Sequence, residues 1–235
     1  MPPALIVVPT YNERDNVRAI ADRLLVALPG AEVLFVDDNS PDGTGAVLDE
    51  MAAAESRIHV MHRAGKLGLG TAYCEGFGWG LERGYPYLFE MDADGSHDPR
   101  YLPQMLALAE DGADVVVGSR YVPGGGTENW GLGRKILSRG GSFYARTILG
   151  VDLRDVTAGF ICWRRAALEA IDLATITSNG YSFQIEMKYR ALGKHLRVVE
   201  TPIVFVDRRV GQSKMSRAIF LEALLQVWRL RLRGR

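Results

Sequence analysis

Tyr87-Leu88-Phe89-Glu90-Met91-Asp92-Ala93-Asp94-Gly95-Ser96-His97-Asp98-Pro99 passes from an apolar strand into an acidic loop and then to the start of a helix. Asp92 and Asp94 stand one residue apart where the strand ends. A hard cation such as Mg²⁺ takes one or two protein carboxylates and completes its shell with water and phosphate oxygens. The pair suits that need. It also suits an ordinary turn, with Asp98 capping the helix that Pro99 opens. The rest of the chain has to separate these readings.

The same strand, loop and helix unit recurs before this stretch. Ala4-Leu5-Ile6-Val7-Val8 is a continuous apolar run, as in a strand buried on both faces, and Pro9-Thr10-Tyr11-Asn12-Glu13 follows it. Asn12 is the expected N-cap of a helix in which Val17, Ile20, Leu24 and Leu28 recur at helical spacing up to Pro29-Gly30. A strand over 33–36 ends in the acidic loop Asp37-Asp38-Asn39-Ser40-Pro41-Asp42-Gly43-Thr44. A helix over 45–54, a strand over 58–61 and the loop Arg63-Ala64-Gly65-Lys66-Leu67-Gly68-Leu69-Gly70 precede another helix to about residue 82. After Pro99 come a helix to Glu110 and the strand that ends in Gly118-Ser119-Arg120. Alternation of this kind implies right-handed crossovers and an α/β fold with a mainly parallel sheet flanked by helices. Ligands of such sheets bind outside the carboxyl ends of the strands, where all these loops lie.

Beyond residue 120 the pattern loosens. Tyr121-Val122-Pro123-Gly124-Gly125-Gly126 reads as a mobile loop, residues 134–149 as a helix bearing Arg134, Lys135, Arg139 and Arg146, and Phe160-Ile161-Cys162-Trp163 as a strand. A helix over 181–191 and a strand over 196–206, interrupted by Pro202, follow. The last segment, 215–232, places Leu221, Leu224, Leu225, Trp228 and Leu232 on one stripe with arginines beside it. The expected organisation is one domain, 1–235, with a first half (1–118), a second half (119–213) and a basic amphipathic helix (214–235).

Of the 235 residues, 47% are hydrophobic and 24% charged, which describes a globular chain with ample core. Cys74 and Cys162 lie outside any C-x-x-C pattern, so neither a zinc site nor a disulfide framework is expected. No signal peptide and no membrane-spanning segment is expected either. The net charge is zero, but from Arg208 onward eight arginines and lysines face Glu222 alone, leaving the tail at +7 and the remainder at −7. A basic tail on an acidic body suggests an anionic partner surface.

If the loops share one crevice, Asp37, Asp38, Asp92 and Asp94 form an acidic pocket that repels a bare phosphate and needs a cation or a base and ribose. Together the segments Pro9–Glu13, Val36–Thr44, Gly65–Gly70, Met91–Asp94, Gly118–Tyr121 and Gly211-Gln212-Ser213-Lys214 resemble the family 2 glycosyltransferases of the GT-A fold. Within that family they resemble the dolichyl-phosphate or polyprenyl-phosphate mannose synthases. The resemblance implies that Pro9, Tyr11, Glu13 and Asp38 hold the nucleoside of GDP-mannose, with Val36, Lys66, Gly68 and Ala93 completing the contacts. It implies that Asp92 and Asp94 hold Mg²⁺ or Mn²⁺. Many relatives carry Asp-Ala-Asp-Leu-Gln-His where this chain has Asp92-Ala93-Asp94-Gly95-Ser96-His97, so the third metal position is Ser96 and His97 is a supporting group rather than a ligand.

Arginine forks pair with phosphate oxygens in a bidentate way, and by resemblance Arg120, Arg134, Ser138 and Arg208 bind an acceptor phosphate while Lys214 closes over it. Asp92, Asp94 and Arg120 form the expected catalytic set. The activity implied is inverting transfer of mannose to a polyprenyl phosphate, at the cytoplasmic side of a membrane, peripherally through the terminal helix and with room for a membrane-spanning partner. A UDP-sugar donor is the alternative within the same fold, which fixes neither base nor sugar. A non-catalytic nucleotide-binding subunit is the alternative of another class. Nucleic acid is not an expected partner, because the basic residues accompany an apolar stripe rather than spaced aromatics.

Overall fold

The structure is a computed structural model that describes residues 4–178, 180–207 and 217–233. Among the described residues, seven strands form the main sheet: β1 (Ala4–Thr10), β2 (Ala31–Asp37), β3 (Ile58–His62), β4 (Tyr87–Glu90), β5 (Val115–Ser119), β7 (Ile161–Arg164) and β8 (Val198–Pro202). Their order is β3-β2-β1-β4-β7-β5-β8. All pairings are parallel except those of β7, which runs antiparallel between β4 and β5. The mainly parallel sheet expected from the alternation is therefore present, with one strand reversed.

Strand β1 shows why its sequence is apolar throughout. Ala4, Ile6 and Val8 join the core on one face, beneath α1 (Val17–Ala27), α2 (Thr44–Ala54) and α4 (Leu102–Glu110). Leu5 and Val7 join the core on the other, beneath α3 (Leu69–Glu82), α6 (Arg165–Ile171) and α7 (Gly180–Gly193). Successive side chains point to opposite faces, so a strand covered on both sides must be hydrophobic at every position. A third cluster joins Ala145 and Leu149 of α5 (Leu132–Leu149), Ile185 and Tyr189 of α7, and Val227 and Leu230 of α8 (Arg217–Arg233).

Three local expectations change. Asn12 is not the N-cap of α1: it sits at φ 59° in the loop, and Asn16 precedes the first helical residue. The amides of Asn16 and Val17 both return to the carbonyl of Glu13, which turns the chain before the helix begins. The glycine run leads directly into a short strand: Gly126 starts β6 (Gly126–Glu128), and a Cβ at Gly125 would stand 2.6 Å from the Ser119 carbonyl. The strand expected over 196–206 divides at Ile203. Its second part, β9 (Val204–Val206), leaves the main sheet and pairs in parallel with β6.

Candidate active site

The first two loops are stitched together at the carboxyl edge of the sheet. The register of β1 on β2 sets Pro9 beside Val36 and Thr10 beside Asp37. Thr10 Oγ1 donates to Asp37 Oδ1 at 2.9 Å, and the Ser40 amide and hydroxyl donate to the same carboxylate. Asp37 is thus buried and turned inward. Asp38 meets the guanidinium of Arg63, which is buried and also bonds Thr71 and Glu75, and it accepts from the Gly68 amide at 3.4 Å. Of the four carboxylates expected to line an acidic pocket, Asp37 and Asp38 are thus buried against partners in the first two loops and in the Arg63 side chain. A buried guanidinium without carboxylate partners would be strongly destabilising, which is why Arg63 gathers them. Across this edge Lys66 Nζ stands 4.2 Å over the Tyr11 ring. The Glu13 amide donates to Thr44 Oγ1, and its carboxylate accepts from Asn16.

Beyond β4 the acidic loop is held from several sides. The Tyr73 hydroxyl donates to Asp92 Oδ1 at 3.3 Å, and the Asp92 amide donates to His97 Nδ1 at 3.1 Å. The Ser96 amide donates to Asp94 Oδ1 at 3.0 Å, while Asp98 caps the next turn through the Arg100 amide. Burial pushes the Tyr73 hydroxyl well above its ordinary range, and the charge of Asp92 adds to this, so the group remains a donor. Burial lowers His97 to about 4, against the pull of Asp94, which leaves the ring neutral with its acceptor nitrogen on the Asp92 amide. Ser96 Oγ is buried without a hydrogen-bond partner among the described residues. An orphaned hydroxyl beside two carboxylates suits a hard oxygen-seeking cation or its water. No group of three His, Cys, Asp or Glu side chains assembles a metal site among the described residues. Two carboxylates and one hydroxyl form a lean donor set that leaves positions for phosphate oxygens.

The later chain supplies cations. Arg120 is buried, and its Nε and Nη2 form a fork on Asp155 at 2.7 and 2.6 Å, with Thr157 Oγ1 at 2.9 Å. Burial alone would raise the Asp155 carboxyl, but the charge and hydrogen bonds of Arg120 outweigh it and hold Asp155 below its ordinary range. Arg134 donates to Asp207 at 2.5 Å, with both side chains about one third exposed. Ser138 accepts from the Tyr121 hydroxyl at 2.7 Å. Beside them opens a cleft of about 350 Å³ that Arg120, Lys135 and Arg139 make cationic and Tyr121, Leu132 and Ile136 make apolar.

Phe205 of β9 joins the two sets. Its ring lies 5.3 Å from His97 on one side and 5.3 Å from Trp130 on the other. Arg134 lies 4.1 Å over the Trp130 ring and Arg120 5.7 Å from it. The Val206 amide also bonds the Ser96 carbonyl, which ties β9 to the acidic loop. Sequence reading missed Arg63, Tyr73, Trp130, Asp155, Phe205 and Asp207. Arg208, Arg209 and Lys214 lie outside the described residues, as does the side chain of Leu221.

The model of the family described as "Glycosyl transferase family 2" matches residues 5–172. A polyprenol monophosphomannose synthase of Mycolicibacterium smegmatis is 50% identical over 232 residues, 98% of this chain and 88% of that one. An undecaprenyl-phosphate mannosyltransferase of Micrococcus luteus is 50% identical over 231 residues, 98% of this chain and 95% of that one. Among solved structures, a mannosyltransferase from Pyrobaculum calidifontis in complex with GDP-Man and Mn²⁺ superposes with a TM-score of 0.65. It is 16% identical, and the match covers 100% of this chain and 65% of that one. At that identity the likeness shows the fold, which is GT-A.

Proposed function

The chain belongs to glycosyl transferase family 2, and on that premise we propose that it transfers mannose from GDP-mannose to a polyprenyl phosphate, with inversion, giving a β-mannosyl phosphoryl polyprenol. One observation carries the reading. Phe205 packs between His97 of the Asp92–Asp94 loop and Trp130, which lies under Arg134 and beside a cleft lined by Arg120, Leu132 and Ile136. The half before residue 119 serves the nucleotide sugar, and the half after it serves the lipid phosphate.

On the donor side, Pro9, Tyr11, Glu13, Val36, Asp38, Lys66, Gly68 and Ala93 contact the nucleotide sugar. Asp92 and Asp94, with Ser96 directly or through water, would hold Mg²⁺ or Mn²⁺. When bound, such a cation stabilises charge developing on the departing diphosphate. On the acceptor side, Arg120, Arg134 and Ser138 bind the phosphate, joined by Arg208 and Lys214. A phosphate monoester is already anionic near neutral pH, so no strong general base is required. The protein's task is alignment and charge stabilisation. Asp155 keeps Arg120 fixed in one geometry, so little reorganisation remains when substrate arrives.

The acceptor's lipid chain points to a membrane. No helix among the described residues is long and apolar enough to cross one. Instead Leu132, Ile136 and Phe143 of α5 and Leu225, Trp228 and Leu232 of α8 are exposed. The two helices are joined where the Tyr144 hydroxyl bonds the Leu224 carbonyl. Lys135, Arg139 and Arg229 accompany this apolar face. We assign it to the cytoplasmic leaflet surface, where each basic residue near anionic lipid adds roughly 1 kcal/mol. Leu132 and Ile136 also line the cleft, so a lipid-borne phosphate reaches the arginines without leaving the surface.

The test is to incubate the protein with GDP-mannose, UDP-glucose or UDP-mannose, a polyprenyl phosphate and Mn²⁺, and to identify the glycolipid by mass. A mannosylated lipid from GDP-mannose alone is expected. Turnover only with a UDP-sugar would replace this donor assignment, and GDP binding without any product would indicate a non-catalytic subunit.

A further inference from the structure

Asp92 is gripped from behind by helix α3. Tyr73 is fully buried, stacked on Phe77 and on Phe183 at 5.9 Å from each, and its hydroxyl ends 3.3 Å from Asp92 Oδ1. That reach depends on how closely α3 lies on the sheet. A Cβ at Gly76 would stand 2.4 Å from Val7 Cγ1, and one at Gly80 would stand 2.6 Å from Leu88 Cδ2. Both clashes are with packed core side chains, so glycine at these positions is what allows the approach. On the opposite side the Asp92 amide is held by His97 Nδ1.

We propose that Tyr73 is a positioning residue for the cation site: its hydroxyl fixes the rotation of the Asp92 carboxylate, so that this ligand meets the cation already oriented. The proposal rests on the reading of Asp92 as a cation ligand. A carboxylate at a loop's start can turn about its terminal bond, and a ligand that turns must be ordered when the cation arrives. A hydrogen bond from a hydroxyl that is itself immobilised between two rings removes that freedom beforehand. Loss of such an outer partner typically weakens metal binding by 10- to 100-fold. The stacking explains why a tyrosine serves here: the ring is locked by packing, and only its oxygen reaches the site.

Tyr73→Phe removes that oxygen and keeps the ring. Mn²⁺ is titrated into the full chain with GDP present, and free ion is read by its electron paramagnetic resonance signal, for wild type, Tyr73→Phe, Asp92→Asn and the double variant. The expected result is about tenfold weaker Mn²⁺ binding in Tyr73→Phe, with the melting temperature nearly unchanged and kcat recovered at high Mn²⁺. Adding Tyr73→Phe to Asp92→Asn should cause no further loss, because the hydroxyl acts only through that carboxylate. Wild-type Mn²⁺ affinity in Tyr73→Phe, with Asp92→Asn impaired, would overturn the positioning role while leaving the cation site in place. An equal further loss in the double variant would show that Tyr73 acts through general packing and would also overturn it. Wild-type affinity in Asp92→Asn would remove the cation reading itself.

Discussion

The acidic rim at the strand ends and the basic rim beside the cleft hold their charges in different ways. On the acidic side, carboxylates emerge directly from the ends of parallel strands, where hydrogen bonds from Thr10, Ser40, Tyr73 and Ser96 and the buried Arg63 guanidinium set them. On the basic side, Arg120 follows the end of β5, but the strand end alone does not set its guanidinium. Each arginine is placed by an acid far away in sequence, Arg120 by Asp155 and Arg134 by Asp207. The contrast also divides the basic rim. The Arg120 pair is buried and forked, whereas the Arg134 pair is partly exposed and monodentate. A carboxylate and a phosphate compete for the same fork, so on the proposed reading Arg120 meets a phosphate while still held by Asp155, whereas Arg134 can exchange its carboxylate for a lipid phosphate.

Asp94→Ala on the acidic rim should produce the largest effect, a fall in transfer of about a thousand-fold or more, since it removes charge stabilisation of the leaving diphosphate. Wild-type rates in a folded Asp94→Ala protein would remove the metal assignment. Next, Asp155→Asn should lower stability by about 3–5 kcal/mol, because it leaves the Arg120 guanidinium buried without its counter-charge. Urea denaturation measures this, and a loss below about 1 kcal/mol would show that the pair is not scaffold.

The third effect concerns the bridge between the rims. Folding lowers His97 from 6.5 to about 4, so between those values the unfolded chain binds more protons than the folded one. The stability contributed by neutral His97 is complete above pH 6.5 and is lost as pH falls toward 4, an amount on the order of 3 kcal/mol. In metal-free protein, His97→Gln should flatten the stability profile in that window relative to wild type. Identical slopes would mean that His97 titrates normally. The smallest effect is expected at Asp207→Asn. Releasing Arg134 from a partly exposed partner is worth roughly 0.2–1 kcal/mol, so the KM for polyprenyl phosphate should fall by about two- to fivefold with that for GDP-mannose unchanged. A rise in the acceptor KM would show that Asp207 supports the site instead of occupying it.

Much of the acidic rim was legible because it is local. Apolar runs such as Ala4–Val8 mark strands, and the carboxylates follow the strand ends directly. The basic rim depends on contacts between residues remote in sequence. Nothing in Phe160–Trp163 sets the direction of β7, and nothing near Pro202 tells that the chain changes sheets at Ile203 to carry Phe205 between His97 and Trp130. Asp155 lies in a segment without periodicity, and Tyr73 reads as an ordinary core residue of α3. Their roles arise from pairings of 35 and 19 residues' separation that no local pattern encodes.

The division into a donor rim and an acceptor rim is tested most directly by calorimetric binding of GDP-mannose with Mn²⁺ to wild type, Asp94→Ala and Arg134→Gln. The account predicts equal affinity for wild type and Arg134→Gln and a loss of at least tenfold for Asp94→Ala. An equal loss in Arg134→Gln would contradict it, because the arginine would then be holding the donor rather than the lipid phosphate.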